Sequence, residues 1–83
     1  MSLTVVLRET ALRALARIRS DDKETFARIR KAIAALADQP HPDGAVAWGG
    51  TNIFRLRTAE ARILYEVDDE TSTVYVINIG RVS

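Results

Sequence analysis

The sequence predicts an α+β fold: an N-terminal strand, an antiparallel two-helix hairpin and a three-stranded antiparallel meander, which forms a small sheet with the helices on one face. Two observations carry this prediction. Residues 53–79 hold three runs of strand character separated by polar turns. Residues 10–36 instead repeat apolar side chains every three or four positions. A chain of 83 residues with 47% hydrophobic content supports one modest core. We therefore expect a single domain, 1–83.

The meander follows from strict alternation of side chains. In the run from Ile53, Phe54 and Leu56 alternate with Arg55 and Arg57, so an extended backbone places arginines on one face and apolar groups on the other. The run 61–67 repeats this alternation, with Ile63, Tyr65 and Val67 sharing one face. Residues 58–60 and the polar stretch 68–72 read as turns. The run 73–79 is rich in β-branched and aromatic residues and predicts the third strand.

The first half of the chain predicts the strand and the helical hairpin. The apolar run 3–7 reads as a strand, and a helix is expected from about Thr10 to near Arg19. Residues 20–22 offer helix N-caps, and Glu24 resembles the partner of Asp21 in a capping box. The apolar face of the second helix is formed by Phe26, Ile29, Ile33 and Leu36. Residues 40–50 read as a loop, with Trp48 as its anchor.

The composition excludes several classes of function. There is no cysteine and only one histidine, so the chain offers neither disulfides nor thiolate or histidine clusters for a metal. Any chemistry should therefore proceed without a metal, and no cofactor is expected. The net charge of +1 lacks the basic excess of dedicated nucleic-acid-binding domains. No apolar run predicts a membrane span or a signal peptide, so we expect a cytoplasmic protein without a membrane partner.

The order of these elements and the amino-acid sequence of residues 53–81 resemble those of the RelE/ParE superfamily of toxins from bacterial type II toxin–antitoxin systems. The resemblance covers nearly the whole chain. It is carried by the segments FRLR at 54–57, ARILYEV at 61–67 and VYVINIG at 74–80, preceded by the loop 40–50. Each segment alone is weakly specific, but their order and spacing together are fairly specific. The resemblance implies a sheet backed by the helical hairpin, with a concave face opposite the helices.

For the RelE-like branch, which we favour, the resemblance implies a ribosome-dependent mRNA endonuclease that inhibits translation. In that chemistry the 2′-hydroxyl attacks the adjacent phosphodiester without a metal, and cationic groups stabilise the phosphate as charge develops. The implied partners are the ribosome, mRNA and a cognate antitoxin protein, with which the toxin would form a hetero-oligomer. The implied catalytic residues are Arg62, Arg55 and Arg81, and the implied substrate-binding residues are Arg57, Asn78 and His41.

Other readings stay open. Without the resemblance, Arg55 and Arg57 also fit a solvated strand face. If Asn78 lies on the catalytic face, alternation sends Arg81 to the other face unless the backbone turns at Gly80. One alternative is a ParE-like toxin that inhibits DNA gyrase without catalysis. Another is a catalytically weak relative that mainly binds its antitoxin.

These alternatives arise because the set of catalytic groups looks incomplete. Ile53 and Ala61 stand where relatives often carry a basic and an aromatic residue. Relatives usually continue beyond the final glycine to a catalytic tyrosine or histidine, whereas this sequence closes with residues 81–83. Tyr65 and Tyr75 are expected on core faces, which makes them poor substitutes for the missing acid.

Overall fold

Along the chain, one strand precedes a two-helix hairpin and four strands follow it, one strand more than the sequence predicts. The structure, a computed structural model, describes residues 2–50, 52–58 and 60–82. The elements are β1 (Thr4–Leu7), α1 (Glu9–Asp21), α2 (Lys23–Ala35), β2 (Ala45–Ala47), β3 (Ile53–Arg57), β4 (Ala61–Asp68) and β5 (Thr73–Arg81). The predicted α+β class is confirmed.

The sheet has five strands in the order β1-β5-β4-β3-β2. The predicted meander corresponds to β3, β4 and β5, which pair antiparallel, and β1 pairs with β5 in parallel. The loop predicted for 40–50 contains one more strand, β2, which pairs with β3. This strand has only three residues, too few to show alternation. The chain can return after Trp48 because Gly49 adopts a φ of +76°, which favours glycine.

The helical hairpin is tighter than predicted. Helix α1 extends past Arg19 to Asp21, and Asp22 alone separates it from α2, with an extended backbone at φ −154°. Asp22, rather than Asp21, is the N-cap of α2. Its carboxylate accepts hydrogen bonds from the backbone N–H of Thr25 at 3.1 Å and from the Thr25 hydroxyl at 2.6 Å. Among the described residues, no helix is long and apolar enough to cross a membrane.

The turns of the meander use the polar side chains that predicted them. In the β3–β4 turn, the Thr58 hydroxyl accepts hydrogen bonds from the backbone N–H groups of Glu60 and Ala61. Ala59, the middle residue of that predicted turn, lies outside the described residues. In the β4–β5 turn, the Asp68 carboxylate accepts from the N–H groups of Glu70 and Thr71. The acidic residues 68–70 therefore form a turn, as predicted.

The core lies between the helical hairpin and one face of the sheet. The predicted apolar face of α2 is buried at Ile29, Ile33 and Leu36, while Phe26 packs at its margin. The sheet contributes the buried side chains Leu56, Ala61, Ile63, Tyr65, Val67, Val74, Val76 and Ile79. Since both helices cover this one face, the opposite face of the sheet is left uncovered.

A β-bulge in β5 changes which side chains reach the uncovered face. Leu64 pairs with Asn78, but Tyr65 pairs with Val76, so Ile77 is one extra residue in β5. As a result Val76 and Ile79 are both buried although they are three positions apart. Asn78 is thereby placed on the uncovered face, and the residue after Gly80 is turned toward the helices.

Candidate functional site

The uncovered face of the sheet carries a shallow groove of about 260 Å³. It runs from the end of β2 across β3 and β4 to β5. Its lining consists of Trp48, Arg55, Arg62, Leu64, Asn78 and Gly80. The position of this groove opposite the helices agrees with the concave face expected from the sequence.

Strand register arranges the groove in two rows of side chains. In the first row, Arg55 pairs with Val46 on one side and Leu64 on the other, and Leu64 pairs with Asn78. In the second row, Arg62 lies between Arg57 and Gly80. Arg55 and Arg62 are therefore diagonal neighbours, a relationship that spans about 7 to 8 Å in an antiparallel ladder. Two long guanidinium side chains at this spacing can bind one anion together.

The groove is positively charged because its arginines are unpaired. Within residues 2–50, 52–58 and 60–82, Arg55, Arg57 and Arg62 form no salt bridge. By contrast, acidic partners neutralise the arginines at positions 8, 13, 28 and 81. The described lining of the groove also contains no Asp or Glu. The guanidinium donors of Arg55 and Arg62 are thus available for the parallel hydrogen bonds that phosphate accepts.

Trp48 forms one wall of the groove. The prediction that it anchors the loop is wrong, because 48% of the residue is exposed. Its indole instead lies against the guanidinium of Arg55, with the Arg55 Cζ atom 4.3 Å from the ring centroid. This cation–π contact holds the Arg55 side chain over the indole ring, at the rim of the groove.

A sequence-family comparison identifies the chain. The family model described as the ParE toxin of type II toxin–antitoxin systems, parDE, matches residues 5–83. The chain belongs to this toxin family. The predicted membership of the RelE/ParE superfamily is thereby confirmed. No curated protein sequence matches the toxin.

Solved structures share the toxin's fold at low sequence identity. The RelBE2 toxin–antitoxin complex of Mycobacterium tuberculosis aligns with a TM-score of 0.83 and 24% identity, covering 99% of this chain and 100% of that one. The isolated RelE toxin of E. coli aligns with a TM-score of 0.84 and 18% identity, covering 99% and 86%. A YoeB/ParE toxin from Agrobacterium tumefaciens aligns with 0.81 and 19%, covering 98% and 100%. These likenesses support the RelE-like fold.

The structure brings together three of the predicted site residues of the toxin. Arg55, Arg62 and Asn78 line one groove, and Arg57 is the cross-strand neighbour of Arg62. The backbone N–H of Ile79 donates to the Asn78 side-chain oxygen at 2.9 Å, which leaves the amide nitrogen of Asn78 as a donor toward the groove.

The structure does not bring Arg81 to the groove. Its guanidinium lies 3.6 Å from a carboxylate oxygen of Asp21 and 3.9 Å from one of Asp22, at the junction of the two helices. The β-bulge explains this position, since Asn78 and Gly80 occupy the groove face and the next residue must point the other way. No turn of the backbone at Gly80 reverses this, because Arg81 still pairs with Ala61 in the sheet.

His41 is also placed away from the groove. Its ring contacts Phe54 edge-on, with the ring centroids 4.8 Å apart, and Phe54 stacks on Tyr65 on the core face. The Tyr65 phenol donates a hydrogen bond of 2.7 Å to the backbone oxygen of Pro40. Tyr65, rather than Trp48, therefore anchors the loop, and it holds His41 on the helix side of the sheet.

Tyr75 corrects a further prediction. It was expected on the core face, but it pairs with Glu66 and lies half-buried on the uncovered face under the guanidinium of Arg8, 4.8 Å from the ring centroid. Tyr65 is fully buried, as expected, and burial raises its pKa to about 12. Within the described lining of the groove, no side chain is a general acid or base near neutral pH.

Alternation along the strands places Leu64 on the face of Arg62 and Gly80 on the face of Asn78, and both residues line the groove. Sequence reasoning missed Trp48 as a groove residue. No sequence signal could have found it, because its face depends on β2, which only pairing with β3 defines.

Proposed function

We propose that this toxin is a ribosome-dependent mRNA endonuclease that inhibits translation, with the scissile phosphate held between Arg55 and Arg62. The observation that carries the proposal is the pair of unpaired guanidinium groups on adjacent strands of the uncovered sheet face. A bound mRNA segment would supply the phosphate that these donors lack. Because the groove is shallow, the ribosome would hold the mRNA in a fixed path along it.

The reaction needs charge stabilisation above all. The 2′-hydroxyl oxygen forms a bond to the adjacent phosphorus while the bond from phosphorus to the 5′ oxygen breaks, which leaves a 2′,3′-cyclic phosphate. Negative charge on the non-bridging oxygens increases along the way, and Arg62 and Arg55 donate hydrogen bonds to it. Arg57 adds positive charge next to Arg62, and the Asn78 amide donates from β5. The described lining of the groove supplies no proton carrier, so both protons pass through water in this proposal.

A second candidate is a ParE-like inhibitor of DNA gyrase. Two observations favour it: the matching family model is that of parDE toxins, and the described groove lining holds no acid or base. In this alternative, Arg55 and Arg62 would bind a partner surface or DNA without catalysis. The same lack of an acid or base in the described groove lining also fits a catalytically weak relative that mainly binds its antitoxin.

The proposal includes a cognate antitoxin as partner, in a toxin–antitoxin hetero-oligomer in the cytoplasm. Similar solved structures include the intact RelBE complex of E. coli and a RelE–RelB complex of Pyrococcus horikoshii. The positive groove favours an antitoxin segment with acidic side chains, which would neutralise Arg55 and Arg62 and block the binding of RNA.

The test is induced expression in bacteria without the antitoxin, with growth followed and mRNA 5′ ends mapped. Wild type is compared with Arg62→Ala and with Arg30→Ala, a matched loss of one charge on the exposed surface of α2. We expect new 5′ ends within translated codons for wild type and Arg30→Ala but not for Arg62→Ala. Growth arrest without such cuts would contradict the nuclease. A gyrase supercoiling assay with purified toxin would then test the second candidate.

A further inference from the structure

The Trp48 side chain is an exposed aromatic surface that the proposed reaction does not use. It is the only tryptophan of the chain. Large aromatic side chains are usually well buried, and a largely exposed one at the rim of a charged groove points to a ligand. The next two residues, Gly49 and Gly50, carry no side chain that could cover the ring. The indole therefore remains accessible beside the arginines.

The contact with Arg55 organises this surface. The guanidinium lies over the indole at 4.3 Å from its centroid, so Arg55 occupies one face of the ring. The backbone N–H of Trp48 also donates to the backbone oxygen of Ile53 at 2.8 Å, which ties the residue to the first position of β3. These two contacts fix the position of the indole, and 48% of the residue remains exposed.

We propose that the exposed indole surface of Trp48 stacks on a nucleobase of the single-stranded RNA whose phosphate lies between Arg55 and Arg62. The inference rests on the proposed function and adds a base-binding position to it. Aromatic side chains next to a cationic track for the backbone are the usual means of holding single-stranded nucleic acid. Because every base has a stacking face, Trp48 would strengthen binding without reading the sequence.

The lining of the groove favours RNA over an apolar protein segment as the partner of Trp48. An apolar peptide would need an apolar groove, but the described lining combines two unpaired arginines with Trp48 and Leu64 and has no acid. A nucleotide carries both an anion for Arg55 and Arg62 and an aromatic plane for Trp48. One nucleotide can therefore satisfy both parts of the lining at once.

The test uses the fluorescence of the sole tryptophan. Purified toxin is titrated with a short oligoadenylate and, in parallel, with an abasic ribose-phosphate chain of equal length, while the anisotropy of a labelled oligonucleotide reports binding independently. Base stacking quenches indole emission. We expect the oligoadenylate to quench Trp48 with the same Kd that anisotropy gives, and the abasic chain to bind about 5- to 150-fold more weakly with little quenching.

Three variants complete the test. Trp48→Ala should weaken oligoadenylate binding to the level of the abasic chain, and Trp48→Phe should restore most of it, because a phenyl ring also stacks. Leu12→Ala is the matched control, since Leu12 is a large apolar side chain exposed on α1, outside the groove, and has no aromatic ring. Circular dichroism checks that each variant is folded.

Bound RNA without quenching, or a Trp48→Ala variant that binds like wild type, would overturn the stacking position. Absence of any RNA binding would overturn it as well. The nuclease is judged separately from the mRNA cuts in cells. If Arg62→Ala abolishes those cuts while Trp48→Ala leaves them unchanged, the nuclease stands and the base-binding position fails.

Discussion

Arg62 on β4 lies directly across the sheet from Gly80 on β5, and a Cβ atom added at Gly80 would meet nothing within 4 Å. The gap leaves the Arg62 side chain uncovered on the groove side. It also means that the described packing of the sheet does not require glycine at this position. Gly80 can therefore be varied to probe the groove without disturbing the core.

Gly80→Ala should leave the fold intact and raise the free energy of unfolding by about 0.4 to 1 kcal/mol, because alanine restricts the unfolded chain more than glycine does. Urea denaturation of the two proteins measures this difference. A loss of stability would mean that Gly80 has a structural role that its surroundings do not reveal.

Gly80→Asp should place a carboxylate opposite Arg62 and form a cross-strand ion pair with it. The groove then loses net positive charge, so we expect toxicity and RNA binding to fall by at least about tenfold, equivalent to 1.4 kcal/mol. Gly80→Asn is the matched control, since it has nearly the same shape without the charge. Equal losses in both variants would indicate a steric effect and contradict the role of Arg62 charge.

Arg81→Ala should lower the free energy of unfolding by no more than about 1 kcal/mol, because its ion pairs with Asp21 and Asp22 are long and solvent-exposed. It should leave toxicity unchanged, since the guanidinium lies on the helix side of the sheet. Growth curves and urea denaturation measure the two effects. Loss of toxicity from a stable Arg81→Ala protein would show that Arg81 acts in the groove after all.

Tyr65→Phe should lower the free energy of unfolding by about 1 to 2 kcal/mol at neutral pH, because the Pro40 carbonyl loses its hydrogen-bond donor. Burial raises the pKa of Tyr65 to about 12, against 10.0 for the unperturbed phenol. The unfolded chain therefore releases this proton near pH 10 while the folded chain keeps it. Stability falls as pH rises from about 10 to 12, by up to about 1.4 kcal/mol per pH unit.

The measurement is urea denaturation across about pH 8 to 12, a range that includes the ordinary tyrosine pKa of about 10. Other groups also titrate there, so the difference between wild type and Tyr65→Phe isolates Tyr65, and this difference should shrink as pH rises. Tyr75→Phe provides the control, since that phenol makes no hydrogen bond to a described residue. A constant difference across the range would contradict the buried, neutral phenol.

Asp22→Ala should destabilise the helical hairpin because the N-cap of α2 is lost. The hydrogen bonds from the Thr25 hydroxyl and N–H lower the pKa of Asp22 below its usual 3.8. Its stabilising contribution is therefore complete above pH 3.8 and is lost as pH falls through the lowered value. Thermal melts from pH 2 to 6, about the span of carboxyl titration, should show this loss in wild type but not in Asp22→Ala. Asp21→Ala leaves the cap in place and removes only the exposed ion pair with Arg81, so it should show the same loss with falling pH as wild type.

Local patterns were sufficient to predict the faces of β3 and β4. Alternation correctly separated Phe54 and Leu56 from Arg55 and Arg57, because side-chain direction in an extended strand depends only on the backbone of that strand. The three- and four-residue spacing in α2 likewise identified Ile29, Ile33 and Leu36 as core. From these faces alone, Arg55 and Arg62 could be assigned to one surface.

Pairing between distant segments decided the rest. The bulge at Ile77 exists only because β5 must match β4, and it sets the direction of both Asn78 and Arg81. The strand β2 and the position of Trp48 depend on pairing with β3, and the position of His41 depends on packing against Phe54. The sequence by itself therefore determined the fold class and the arginine face, because these follow from local backbone periodicity. Only the tertiary structure decided which side chains share the groove, because strand register and loop packing are set by contacts between residues far apart in the chain.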